Sequence, residues 1–261
     1  YRHRSEISTL ERDWAVRDIT DNPQGGWSGF GNPGTYVNTV TGGRFVDPAC
    51  ATLGVPTGVG TAAPGCQFQY IVFDNIAEKD DHYQAYAKYD LDIGDSTSFY
   101  VEALYAAHSV PEENSSPSYG PTQGATGGAP SYVIPATNPG IQNLINTGAI
   151  APVPALVASG LLWRPFATGG NQLTGEGKQD KRDFDSWRVS AGFNGVFGPD
   201  INWDTAVTYS ETGSDIATPD ILVSRLGLAL SGLGGPNCTG TTPGQNGCQW
   251  LNPFSSSYAG N

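Results

Sequence analysis

The chain has 261 residues, of which 35 are Gly and 19 are Pro, about a fifth of the whole against a usual share of roughly an eighth. Its net charge of −12, from 25 acids against 13 bases, repels phosphate backbones and argues against a nucleic-acid partner. No run of 18 apolar residues exists, which excludes a transmembrane helix but not a transmembrane β-strand, because a strand crosses with only about 9–11 alternating residues.

Met is absent, so Tyr1 is not expected to be a translation start, and the chain is read as a processed product or a piece of something longer. Early in it, "GGWSGFGNPGTYV" places Gly29, Gly31 and Gly34 at the G-x-G-x-x-G spacing of a dinucleotide site. That site needs a strand before the glycines and a helix after them. Here turn formers precede, and Thr35, Tyr36 and Val37 favour extended chain, so the glycines read as turn residues of a loop. Cys50 and Cys66 form a local pair, as do Cys238 and Cys248. Neither pair has zinc spacing or a nearby His, so both are expected to be disulfides formed in an oxidising compartment.

Asp81 to Ser109 carries the clearest periodicity. Tyr83, Ala85, Ala87, Tyr89, Leu91 and Ile93 alternate with His82, Gln84, Tyr86, Lys88, Asp90 and Asp92. After "GDST", the apolar set resumes at Phe99, Val101, Ala103, Tyr105 and Ala107. Period two over this length predicts a long β-hairpin spanning about 81–109. His82 and His108 fall on its polar face on neighbouring strands, where they could face each other; solvated strand-end residues are the expectation and a metal or proton role the alternative. Asp90, Asp92 and Asp95 resemble a calcium loop, but Val101 stands where the bidentate Glu would be. Asn114 and Asn237 match glycosylation sequons that are too common to carry weight.

A connection from Val110 to Arg182 follows. Within it, Asn138 as N-cap, Pro139 at the first helical position and Gly148 as a stop predict a short helix with Ile141, Leu144 and Ile145 on one face. A second hairpin is predicted over about 184–212. Trp187, Val189, Ala191, Phe193 and Phe197 alternate with polar residues, and Ile201, Trp203, Thr205, Val207 and Tyr209 do so after the turn. A second helix is expected to be capped by Thr218 and opened by Pro219. Its stripe is Leu222, Leu226, Ala229, Leu230 and Leu233, and Gly234 and Gly235 stop it. Stretches 5–75, 110–182 and 213–261 read as loops. Short turns on one side and long connections on the other are the plan of outer-membrane barrels, while a soluble β-sandwich is the alternative. No catalytic motif or convergent set of catalytic groups is found, so no enzymatic activity, metal or cofactor is expected.

"YRHRSEISTLERDW" with "NPQGGWSGFGNPGTYV" is similar to the barrel region of TonB-dependent outer-membrane receptors of the sphingomonad and caulobacter type. So are "CQFQYIVFDNIAEKDDHYQAYAKYDLDIGDSTSFYVEALYA", "PATNPG", "WRPF", "ALSGLGGPNC" and "GCQWLNPFSSSYAGN", in the same order along nearly the whole chain. The resemblance implies one all-β segment, residues 1–261, of antiparallel transmembrane hairpins with long Gly/Pro-rich loops and two short helices, lacking the family's plug domain. It implies import of a scarce solute such as a siderophore or saccharide, contact with outer-membrane lipid, and energy from TonB through a region preceding Tyr1. Trp27, Trp163 and Arg164 are the candidate loop contacts for the solute, with packing inside the loops the commoner role for such residues. The alternative is a released fragment that self-associates through its strand edges as a structural subunit of an extracellular filament.

Overall fold

The computed structural model describes all residues except 22–25, 62, 116–130, 160–162, 166–176, 220 and 255–261. In chain order its elements are β1 (Arg2–Arg4), β2 (Ile7–Ser8), β3 (Trp27–Ser28), β4 (Thr35–Asn38), β5 (Arg44–Val46), α1 (Cys50–Leu53), β6 (Val55–Thr57), β7 (Gly65–Gln69), β8 (Asn75–Ala77) and β9 (Asp80–Asp92). There follow β10 (Thr97–Ser115), β11 (Ser131–Pro135), α2 (Pro139–Asn146), β12 (Ala155–Ser159), β13 (Lys178–Phe197), β14 (Ile201–Ala217) and α3 (Val223–Leu230). Strand makes up 48% and helix 12%, so the class is all-β. The chain expected as one segment divides into two compact units, and each is described by itself.

The first unit comprises Tyr1–Ile7, Asn75–Glu113 and Gln179–Thr218. It holds one open sheet in the order β1-β9-β10-β13-β14. Both predicted hairpins are present, and both are longer than expected. Gly94, at φ 80, sits in the first turn, where the Ile93 amide donates to Thr97 O at 2.7 Å. Gly198, at φ 62, opens the second. The left-handed region costs Gly nothing, which is why the chain reverses there. Strand β10 lies antiparallel to β13: the Val196 amide donates to Ser96 O at 2.9 Å, and at the far end the Ser109 hydroxyl donates to Asp183 at 2.6 Å.

The second unit comprises Ser8–Asp74, Asn114–Lys178 and Pro219–Asn261. Most of it reads as loop in the sequence, yet it contains a four-stranded sheet, β11-β12-β4-β5, and a three-stranded one, β3-β7-β6. Its core gathers Tyr36, Tyr132, Ile134, Ile141, Leu144, Leu156, Trp163, Leu226, Leu230 and Phe254. Strands of two to five residues show too few alternations for the period to stand out, and the pairing that joins β4 to β12, Asn38 with Leu156, is far from local in sequence.

Helix α2 forms as expected: Asn138 Oδ1 accepts the Gly140 amide at 2.9 Å, Pro139 opens the helix, and Gly148 follows it at φ 74. Helix α3 does not. It begins at Val223 without a side-chain cap, because β14 runs through Ala217 and Thr218 is its exit rather than an N-cap. The one-turn helix α1 has no counterpart among the sequence expectations and makes three α-helices among the described residues.

Both disulfides form, Cys50–Cys66 and Cys238–Cys248. Gly54 lets the first pack closely, since a Cβ there would lie 2.6 Å from Cys66 Sγ. Replacing either pair by Ser is expected to cost about 2–3 kcal/mol from loop-closure entropy. Denaturant unfolding of the oxidised and substituted proteins checks this, and a loss below about 1 kcal/mol would contradict it.

Candidate functional site

The antiparallel register puts the odd-numbered residues of the long strands on one face. Tyr83 lies opposite Ala107, Ala85 opposite Tyr105, Leu91 opposite Phe99, Ala191 opposite Val207, and Val189 opposite Tyr209. This face is apolar and open: Tyr83, Tyr89, Tyr105, Phe193 and Tyr209 are exposed, and Val207 is 80% exposed. Exposed apolar surface of this extent commonly marks a contact surface.

Its aromatics are ordered. Tyr83 and Tyr89, Phe99 and Tyr105, Trp187 and Phe193, and Trp203 and Tyr209 each stand six residues apart, two per strand in line, while a further aromatic on this face, Phe197, ends β13 beside the turn outside both lines. The line farther from the turns runs Tyr83, Tyr105, Trp187, Tyr209, and the nearer one runs Tyr89, Phe99, Phe193, Trp203. In both, the register places the β9 member two residues farther from the turns than its β10 neighbour. In both, the β14 member is two residues nearer the turns than its β13 neighbour. Phe99 and Phe193 are level across β10 and β13, with ring centroids 5.2 Å apart, and Trp187 touches Tyr209 at 5.1 Å.

Each line therefore shifts by about four residues, ~13 Å, across three interstrand gaps of ~4.8 Å, an obliquity of roughly 40–45° to the sheet's cross direction. Acids keep the same slant: Asp81, Asp185 and Glu211 each lie two residues beyond the aromatics Tyr83, Trp187 and Tyr209. From Tyr83 to Ile93, and from Trp187 to Phe197, the apolar band runs ten residues along the strand, ~33 Å of chain and ~24 Å of height at that tilt.

The even-numbered face is polar and internally bonded. Arg188 pairs with Glu102 at 2.8 Å, Tyr86 donates to the same carboxylate at 3.1 Å, and Lys88 pairs with Asp90 at 2.8 Å. The hydroxyls of Ser190 and Thr208 meet at 2.8 Å. Asp92 accepts at 2.7 Å from the hydroxyl of Ser98, the residue paired with it across the hairpin on β10. His82 and His108 do face each other across β9 and β10, their rings stacked at 4.0 Å.

Beyond the acids, Tyr1 donates to Asp81 at 2.6 Å and His3 contacts the same oxygen at 2.8 Å. The Tyr1 bond, then that from His3, holds the Asp81 carboxyl below its usual range. Reciprocally, the hydrogen bond to Asp81 and then burial push the Tyr1 phenol up to about 12. A raised phenol stabilises the fold fully below its ordinary 10.0, and that contribution is lost as pH rises through about 12. NMR titration of Tyr1 is expected to show this value, and Asp81→Ala to return it towards 10.0. An unchanged titration in the variant would contradict the pairing.

The three expected solute contacts lie in the second unit. Trp163 is 0% exposed, its indole donating to Pro253 O at 3.3 Å and its ring edge-on to Tyr132 at 6.0 Å. Arg164, 3% exposed, donates to Phe30 O at 3.1 Å and lies over the Phe68 ring at 5.2 Å. Trp27 is half-buried and donates to Arg17 O at 3.1 Å. Trp163 and Arg164 are interior packing groups here, the commoner of the two roles such residues take. Of the glycines in the G-x-G-x-x-G, Gly31 and Gly34 are packing residues, while a Cβ on Gly29 would meet only Gln67 Nε2, at 3.9 Å. None has a positive φ, and a Cβ on Gly31 or Gly34 would strike Phe68 at 2.7 Å or Trp163 at 2.6 Å. A more accessible cavity of about 860 Å³ opens beside α3, lined by Leu222, Leu226, Leu233 and Leu251, with Arg225 its basic group. The sequence signals only its leucine stripe.

Compared with protein-family models and with curated protein sequences, the chain matches none.

Proposed function

We propose that the first unit is a membrane-spanning segment of an outer-membrane β-barrel, and that the chain belongs to a receptor of the TonB-dependent type that imports a scarce solute. The observation that carries the barrel reading is the pair of oblique aromatic lines. Strands of outer-membrane barrels tilt about 35–45°, between interfacial aromatic girdles flanking an apolar band about 25 Å tall. A girdle level with the membrane is then oblique to the strands by the same angle, as these lines are. The farther line bounds the apolar band and the nearer one runs parallel to it within the band, about 15 Å of height away; the band as a whole supplies the height, and the even face, with its ion pairs, suits a lumen. Short turns at Gly94 and Gly198 against a connection from residue 116 to 177 match a periplasmic and an extracellular side. The receptor type and the solute rest on the sequence resemblance, which also implies TonB as the partner and the outer membrane as the location.

Single-Trp variants in bilayers with brominated lipids test the barrel reading. Trp187 is expected to be quenched by label near the headgroups and Trp203 by label deeper in the opposite half. Trp163, buried in the other unit, is expected to be insensitive. No quenching of either strand Trp would overturn the reading. Thr205→Arg, near the middle of the apolar band on β14, is expected to destabilise the bilayer-inserted form by about 2–4 kcal/mol, and Ala206→Arg on the opposite face by under about 1 kcal/mol. Equal costs, measured by urea unfolding from vesicles, would contradict the assignment of faces.

One observation favours the filament alternative as well: β14 offers 17 residues of strand edge with no further partner among the described residues. Such an edge pairs either with the next strand of a barrel or with another copy. Helical polymers in electron micrographs, together with unquenched Trp187 and Trp203, would select the filament.

A further inference from the structure

On the even face, at the end of the sheet far from the turns, two imidazoles and a carboxylate converge. Asp80 is 2% exposed. Its Oδ2 lies 3.4 Å from His82 Nε2 and 3.8 Å from His108 Nε2, and the three ligand atoms fall within 4.8 Å of one another. The register builds this cluster, since His82 pairs directly with His108 and Asp80 precedes His82 by one same-face step. Two of its buried atoms have no hydrogen-bond partner among the described residues, Asp80 Oδ1 and His108 Nε2. An unsatisfied buried carboxylate oxygen beside an unsatisfied imidazole nitrogen is costly for the fold, and a cation coordinated by both would offset it.

Two arginines on the edge strand β1 partly fill that need. Arg4 donates to Asp80 Oδ2 at 2.7 Å, and Arg2 bonds His82 Nε2 at 2.9 Å. A guanidinium that donates to Nε2 finds a neutral imidazole there, with its lone pair in the plane of the ring, which is the form that binds metals. Arg2 thus holds the place a metal would take on His82, while His108 Nε2 stays open.

We propose that Asp80, His82 and His108 form a binding site for a divalent transition metal of the zinc class, gated by Arg2. Donor atoms 3.4 and 3.8 Å apart are close to the ~3.4 Å edge of a tetrahedron with bonds of ~2.0–2.1 Å, so small side-chain rotations bring all three onto one ion. Two His and one carboxylate leave a fourth position for water or an incoming ligand. On binding, Arg2 releases His82, and Arg4 shifts from Oδ2 to the vacant Oδ1, so that both orphaned atoms gain partners. Phe184, whose ring lies 6.2 Å from His108, walls the site on the β13 side. The inference uses the first unit alone and stands whether or not its apolar face lies in lipid.

Titration of the full chain with Zn²⁺ by calorimetry, and with Co²⁺ by its visible d–d absorption, tests the site. One equivalent is expected to bind, with the intense absorption of a tetrahedral Co²⁺ centre. Asp80→Asn, His82→Gln and His108→Gln are each expected to weaken binding by at least about 100-fold, more than the ~10–100-fold usual for outer-shell partners. His3→Ala, outside the cluster, is expected to leave it unchanged. Arg2→Ala is expected to tighten binding by about 10-fold or more, because the metal no longer displaces a charge-assisted hydrogen bond. A merely structural Arg2 would not produce that gain. Absence of binding in the wild-type chain and in Arg2→Ala overturns the proposal. So does binding that survives all three ligand variants, or an Arg2→Ala variant that binds no tighter while retaining its strand signal by circular dichroism.

Discussion

Trp163→Ala is expected to destabilise the second unit by about 3–5 kcal/mol, the range for removing a fully buried Trp from a core that cannot collapse. The indole is wedged between Tyr132 and Gly34, whose missing Cβ makes room for it. Its neighbours belong to β4, to β11 and to the segment at Pro253, three stretches far apart in sequence, so no single local shift closes the hole. The hydrogen bond is the lesser part. Pro253 O also accepts the Tyr36 hydroxyl at 2.9 Å and keeps that partner when the indole is gone. Trp163→Phe should therefore recover more than half of the loss. Amide exchange at Tyr132 and Ile134, read against denaturant unfolding, provides the measurement. A cost below about 1.5 kcal/mol, or a Phe variant as damaged as Ala, would refute the packing account.

Asn138→Ala is expected to cost about 3–4 kcal/mol from a single short side chain. Its Oδ1 caps α2, which is worth about 1 kcal/mol. Its Nδ2 donates at 3.0 Å to Leu230 O, the last residue of α3, and at 3.0 Å to Leu251 O. The residue is 0% exposed, so truncation strands the buried Leu230 carbonyl away from water, at about 1–3 kcal/mol, and removes the bond to the half-buried Leu251 carbonyl, at about 0.5–1 kcal/mol. Asn138→Asp separates the roles. It keeps the cap acceptor but turns an oxygen towards two carbonyl oxygens, and is expected to be at least as destabilising as Ala. An Asp variant close to wild type would mean that the cap alone matters and that the two carbonyls find other donors.

The two units were unequally legible. In the long strands each residue's face follows from the one two before it, so Tyr83 to Ile93 and Trp187 to Phe197 declared their strands, faces and turns without a partner in view. The helix at Asn138 was legible for a similar reason, since cap, Pro and stop all lie within eleven residues. Thr218 and Pro219 carried the same local signal, and pairing of β14 with β13 overrode it. Ladder bonds formed by a neighbouring strand outweigh a cap that stabilises only about 1 kcal/mol.

What the sequence determined by itself is the all-β class, the two hairpins, the faces of their strands and the pairing of the cysteines. These depend on period two, turn chemistry and short loop closure, all local properties of the chain. Tertiary structure decided the rest. The oblique alignment of aromatics requires the register between β10 and β13, strands separated by more than sixty residues of connection. Burial of Trp163 and Arg164 requires strands that meet from opposite ends of the chain. The convergence of Asp80 with two histidines depends on β9, β10 and the β1 arginines sharing one face. Register and long-range burial are set by which distant surfaces fit together, and no local pattern carries that information.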